Sequence, residues 1–279
     1  MILAIKSDIY KMLREKGFYI SLIIGVLLSV WNLINSLLIQ NNMNESIQKY
    51  GDEYLYTYYP VSVFNSYLGI NNSSLQTNIF YMILPLLSVL PFSMLFFDER
   101  KSGYINLILT RTSKCKYYAS KYIVSFFSGG LICLIILGFS LFLNAMFIPS
   151  VMPEVTTAYF PVAYEGSLWL NIYLTHPYLY ILLYTLLDML YCGIFAVLAL
   201  SASFIFDYKI TVFVFPFIIY LLSSYLFNTL GFKSGKMMSF LPQFQMKNAN
   251  LNVILMEALI FIVLTILVMI ISVVKDEKN

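Results

Sequence analysis

Charge is what this chain has least of. Only 11% of its 279 residues are Asp, Glu, Lys or Arg, while 60% are hydrophobic. Soluble domains carry roughly a quarter charged residues, so a water-dispersed globule is excluded. Histidine is nearly absent too. With His176 alone, an HExxH zinc site is impossible. A serine intramembrane protease would want a histidine inside a span, and His176 lies outside the long apolar runs. Cysteine is scarce and odd in number. Cys115, Cys133 and Cys192 show no CxxC spacing, which argues against a disulfide framework. Cys133 and Cys192 fall inside apolar runs, where a thiol behaves as a small hydrophobe. A nucleotide-binding P-loop is missing as well. The nearest approach, Gly231 to Met237, has three residues between its glycines where four are needed, and ends in Met. An aspartyl intramembrane protease needs two facing carboxylates. Asp188 is one, but Glu257 is the wrong acid and is expected nearer the outer surface. We therefore expect no enzyme, no metal and no cofactor bound by this chain.

What is present is apolar length. Six runs approach or exceed the ~18 residues expected of a membrane-spanning helix. They are Phe18–Ile39, Ile79–Phe97, Tyr122–Ile148, Tyr178–Phe206, Ile210–Leu230 and Leu251–Val274. The fold class expected is an all-α polytopic membrane protein with a single transmembrane domain over 1–279. The first run is too long for a signal-peptide core and lacks a small-residue cleavage site, so it is expected to remain as the first span. Before it, Met1 to Lys16 places Ile2, Ile5, Ile9, Met12 and Leu13 near helical spacing among Lys6, Asp8, Lys11 and Arg14. That pattern predicts a helix lying in the membrane interface.

Gln40 to Asn78 is expected to be a long polar loop, whose EYLYTYYP run (53–60) suits an aromatic interface anchor or a strand. Pro85 and Pro91 should bend the second span. Gly129-Gly130 suits close helix packing in the third. The loop 149–177 has Glu154 and Glu165 but no Lys or Arg, and 231–250 is polar around an apolar patch, Met237–Leu241. The net charge of +3 is small, and most positives sit beside apolar runs. This orients a protein in a membrane and does not suggest nucleic acid.

The stretch Asp98 to Lys121 organises the rest. It holds Arg100, Lys101, Arg111, Lys114, Lys116 and Lys121 around a short apolar piece, Tyr104–Leu109. A mere chain reversal would need far fewer residues. We expect something soluble to dock here, although the same apolar and basic residues would also suit anionic lipid. The stretch resembles the permease subunits of type-2 ATP-binding-cassette (ABC) exporters. Their loop between spans two and three begins with an acidic residue, then a Gly four positions on. A short apolar helix follows, then a basic Ser/Thr-rich stretch, then a Lys opening the third span. Here these are Glu99, Gly103, Ile105–Leu109, Arg111-Thr112-Ser113, Tyr117-Tyr118 and Lys121.

The resemblance implies a cytoplasmic coupling helix between spans two and three. Glu99, Gly103, Ile105, Leu107, Ile108, Leu109 and Arg111 would contact a separate cytoplasmic ATPase subunit, which would bind ATP and Mg. It also implies a homodimer of permeases in a bacterial cytoplasmic membrane, exporting an amphipathic or lipophilic peptide, antibiotic or lipid-like molecule. The long first outer loop departs from compact members of that family. A membrane immunity or binding protein that captures a peptide or toxin with its outer loops is the competing expectation.

Within the fourth span, Asp188 stands a helical turn from Tyr184, Thr185, Tyr191 and Cys192. A carboxylate near mid-bilayer costs ~2.5–3.5 kcal/mol on insertion scales. Tyr184, Thr185, Asp188 and Tyr191, with Glu257 of the sixth span, are therefore expected to face another helix or a translocation path.

Topology follows from counting Lys and Arg. With the amino terminus inside, 13 of the 17 basic residues fall on the inner face and four on the outer, three of the four in the last outer loop. Both termini are thus predicted to be cytoplasmic. On a cysteine-free background, Ser73→Cys should react with an impermeant maleimide in intact cells while Ser113→Cys stays protected. The opposite labelling pattern would refute the topology.

Overall fold

The computed structural model describes residues 2–51, 61–71, 74–109, 113–153, 167–229, 237–243 and 249–277. Among them all regular structure is helical. In chain order the helices are α1 Ile2–Arg14, α2 Lys16–Tyr50, α3 Val63–Ser66, α4 Leu75–Val89, α5 Ser93–Lys101 and α6 Tyr104–Leu109. They continue with α7 Lys114–Phe147, α8 Leu170–Thr175, α9 Pro177–Ala202, α10 Lys209–Thr229, α11 Met237–Phe240 and α12 Leu251–Glu277. Six stretches are long and apolar enough to cross a membrane: α2, α4 with α5, α7, α9, α10 and α12.

The helices run further than the apolar runs. In α2 the chain stays helical through Gln40–Tyr50, which the sequence reading placed in a loop. Between Gln40 and Tyr50 there is no proline or glycine, and Gly51, with a φ of 79°, ends the helix. At 35 residues α2 is about 52 Å long at 1.5 Å per residue, well beyond a ~30 Å hydrocarbon core. The second span is broken. Pro85 is absorbed inside α4, but the chain leaves the helix at Leu90–Phe92, around Pro91, and restarts at Ser93. The break is anchored: the Ser93 hydroxyl donates to the Ala196 carbonyl at 2.7 Å and lies 3.0 Å from the Ser125 hydroxyl. The stretch expected to be a loop, Asp98–Lys121, is helical to Lys101 and again from Lys114.

The centre of the bundle is α9. It packs against α7, α4, α10, α12, α5 and α8. From Tyr191 to Ala202 every residue is buried. By contrast only 22% of the most apolar window of α12 is buried, against 67% for α9. α12 is therefore the peripheral, lipid-compatible helix. Small residues bring α7 and α9 together. A Cβ at Gly129 would lie 2.6 Å from the Cys192 carbonyl oxygen and 2.7 Å from the Ala196 Cβ, and one at Gly130 would lie 2.9 Å from the Met189 carbonyl oxygen.

At the end of the bundle remote from α6, the segment 61–71 is drawn inward. Val63, Phe64, Tyr67, Leu68 and Ile70 are all buried. Its backbone groups find partners on α2, α7 and α8. Asn32 donates to the Ser66 carbonyl at 2.7 Å, Tyr173 to the Phe64 carbonyl at 3.1 Å, and the Leu68 amide to the Ser140 hydroxyl at 3.0 Å. The polar-loop expectation for 40–78 thus fails twice, at the helical Gln40–Tyr50 and at the buried 61–71. Side-chain donors and acceptors on α2, α7 and α8 make that burial tolerable. The aromatic run 53–60 lies outside the described residues, as do Glu154 and Glu165.

The glycine contact yields a stability test. Gly129→Ala should destabilise the protein by about 1–3 kcal/mol through overpacking, read as a lower melting temperature in detergent. Gly138→Ala, on the same helix with open space around its Cβ position, should leave stability unchanged or slightly raised. Equal effects at the two glycines would contradict the close α7–α9 approach.

Candidate functional site

Four consecutive residues at the carboxyl end of α5, Asp98-Glu99-Arg100-Lys101, each pair with groups outside their own helix. Asp98 accepts from Lys209 at the start of α10 at 2.5 Å. Glu99 accepts from Lys11 of α1 at 2.5 Å through Oε1 and from Lys121 of α7 at 2.6 Å through Oε2. Arg100 hydrogen-bonds the carbonyl of Ser203 and, at 3.5 Å, that of Phe204, with its guanidinium 5.2 Å from the Phe204 ring. It thereby satisfies carbonyls left open where α9 ends. Lys101 pairs with Asp207 in the α9–α10 turn at 2.7 Å.

Lys121 is the deepest of these groups. Its side chain is fully buried, and its ammonium also binds Asp8 of α1 at 2.8 Å. Asp8, Lys11, Glu99 and Lys121 form a neutral cluster that joins three helices. Burial works against the Lys11 ammonium, but the hydrogen bond to Glu99 and its charge outweigh it and hold the Lys11 pKa above the ordinary lysine value. Asp207 is exposed; the hydrogen bond from Lys101, then its charge, keep the Asp207 carboxyl below the usual range.

Beside the cluster the chain turns at Gly103, whose φ is +75° with open space around it. α6 then lies against an aromatic cluster of Phe96, Tyr117, Tyr118 and Tyr122. Ile105 is buried there, Ile108 and Leu109 are half-buried against it, and Leu107 is 71% exposed. Arg111 and Thr112, which belong to the same sequence motif, lie outside the described residues. The structure thus brings Glu99, Gly103, Ile105, Leu107, Ile108 and Leu109 into one neighbourhood. It adds Asp8 and Lys11, which the sequence reading had set between the apolar positions of an interfacial helix. Instead Asp8 is buried, while Ile9, Tyr10 and Leu13 are exposed. The scarcity of charge was the available signal, since a charge near apolar surroundings needs a partner. It could not say which partner.

The second expected set lies deep in the bundle. Tyr184, Asp188 and Tyr191 share the buried face of α9. Asp188 Oδ2 accepts from Tyr81 of α4 at 3.2 Å and from Gln243, just beyond α11, at 3.4 Å. Tyr191 donates to the Ile254 carbonyl of α12 at 2.7 Å. Thr185 is half-buried, its hydroxyl spent on the Ile181 carbonyl at 2.7 Å within its own helix. Glu257 is buried on α12 with neither carboxylate oxygen hydrogen-bonded among the described residues. No three His, Cys, Asp or Glu side chains come together among the described residues in a way that could hold a metal ion.

The fold defines the chain as a polytopic α-helical membrane protein. No family model matches it, and no curated protein or solved structure matches it either.

The ion cluster predicts an asymmetry. Lys121→Met strands the buried carboxylate of Asp8, leaves Glu99 with Lys11 alone, and should cost about 3–5 kcal/mol, the usual penalty for breaking a buried pair. Lys209→Ala removes a half-exposed bridge and should cost no more than about 1 kcal/mol. Chemical or thermal unfolding of the two variants in detergent would measure the gap, and comparable losses would contradict the central place of Lys121.

Proposed function

We propose that this chain is the transmembrane subunit of a type-2 ABC exporter. Two copies, with two separate cytoplasmic ATPase subunits that bind ATP and Mg, move an amphipathic or lipophilic molecule across or out of a bacterial cytoplasmic membrane. In this reading both termini are cytoplasmic. α1 lies in the interface with Ile9, Tyr10 and Leu13 towards lipid, and α6 is the coupling helix.

The observation that carries the proposal is the four-way clamp at Asp98–Lys101. A subunit with no ATPase of its own must receive force from a partner through rigid-body motion. A short helix docked on the partner serves only if its displacement reaches several spans together. The residues next to α6 are bound to α1, α7, α10 and the α9–α10 turn. Leu107 meanwhile offers an exposed apolar anchor.

Replacing Leu107 and Ile108 together by Asp would put charge into an apolar groove of the partner, at a cost of several kcal/mol. Gly103→Val would force a β-branched residue into positive φ. Both variants should insert and dimerise, yet lose co-purification of the ATPase or substrate-stimulated hydrolysis. Retained partner binding and activity in the Leu107/Ile108 variant would overturn the proposal. A loop that only anchors lipid would give a defect that follows anionic-lipid content instead.

A further inference from the structure

α1 and α7 do not close on each other completely. Ile5, Ile9 and Met12 of α1 follow one another at helical spacing, as do Ile123, Phe127 and Leu131 of α7. Together they line a groove of about 210 Å³. Ile9 and Phe127 are 43% and 58% exposed, whereas Met12 is buried, so the groove opens sideways from the bundle.

What fills this groove in a membrane must be hydrocarbon. Its one polar lining residue is Ser128, whose hydroxyl is spent on the Ser125 carbonyl at 2.8 Å within its own helix. A peptide would bring amides and find no partners for them. A helix from a second copy is too wide. From Ile123 to Leu131 α7 rises ~12 Å, so about 210 Å³ leaves a section of roughly 18 Å², against a helix diameter of about 10–12 Å. An acyl chain is narrow enough and needs no hydrogen bond.

The groove meets a second hollow at Ile9, which borders both. Lys6, Ser7 and Tyr10 line that hollow, and the Arg14 guanidinium stacks on the Tyr10 ring at 4.1 Å. Two charges of α1 are already committed, Asp8 to Lys121 and Lys11 to Glu99. Lys6 and Arg14 are exposed and make no ion pair among the described residues. Two cations and a hydroxyl thus stand beside an apolar slot, which is the pattern of a phosphate headgroup above its acyl chain.

We propose that this groove binds one anionic phospholipid of the surrounding bilayer. An acyl chain lies between α1 and α7, and the phosphate rests on Lys6 and Arg14. The lipid completes the seam that the Asp8–Lys121 pair leaves open. Binding needs neither an ATPase nor an exported molecule, so its test stands apart from the exporter reading.

The experiment melts the purified full-length protein in nonionic detergent with added phosphatidylglycerol, or with phosphatidylcholine of the same acyl chains. Phosphatidylglycerol should raise the melting temperature saturably, by about 5–8 °C at a hundred times its Kd. Phosphatidylcholine should need a several-fold higher concentration for the same rise. Ile9→Trp, which fills the groove, should abolish the response to both lipids. Ile270→Trp, on the exposed face of α12, should leave it unchanged. Lys6→Gln should bring the phosphatidylglycerol midpoint close to that of phosphatidylcholine. Equal midpoints for the two lipids in the unaltered protein would overturn the proposal, leaving ordinary bulk lipid as the occupant. So would an undiminished response in Ile9→Trp. Should that variant fail to fold, an unmoved phosphatidylglycerol midpoint in Lys6→Gln would overturn it equally.

Discussion

A single buried ammonium sets the terms for one end of this molecule. Lys121 has no water to fall back on, so Asp8 and Glu99 must stay within hydrogen-bond reach of it. That requirement fixes where α1 lies and how the end of α5 meets α7. Buried ion pairs contribute little net stability, because desolvation consumes the Coulomb gain. Their effect is on arrangement: an alternative packing that separates the three groups leaves a bare charge. The amino-terminal helix is thereby a fixed part of the bundle, although its sequence reads as a surface segment.

The middle of the molecule depends on contact of another kind. Gly129 and Gly130 let α7 approach α9 closely enough that no added methyl would fit. Without a hydrophobic force between helices in lipid, such close packing supplies the association. The polar groups on α9 are consistent with this. Tyr191 reaches a carbonyl of α12, and Asp188 reaches α4 and the residues beyond α11. α12, which presents a wide apolar face outward, is tied to α9 by the Tyr191 hydrogen bond to its Ile254 carbonyl.

Much of this was legible in the sequence, and the failures have physical reasons. Long apolar runs mark crossing helices because hydrocarbon leaves the backbone no other partner. Pro91 marked the break in the second span, and Gly129-Gly130 marked a close approach. The length of α2 was not legible, since the polar residues of 40–50 allow helix as readily as loop, and only Gly51 decides. The burial of 61–71 was hidden because its partners, Asn32, Ser140 and Tyr173, are scattered over three helices. The orientation of Asp8 inverted a periodicity argument. One ion pair outweighed the ordinary preference for turning apolar side chains inward and charges outward.

The clamp on α5 has one more consequence, which comes from helical geometry. Successive residues of an α-helix point about 100° apart, so four in a row sweep about 300° around the axis. Asp98, Arg100 and Lys101 are held by the stretch 203–209 while Glu99 is held by α1 and α7, so the helix end is gripped by two bodies at once. Torque about the long axis of α5 would break several contacts at once. The helix end is thus stiff to twist.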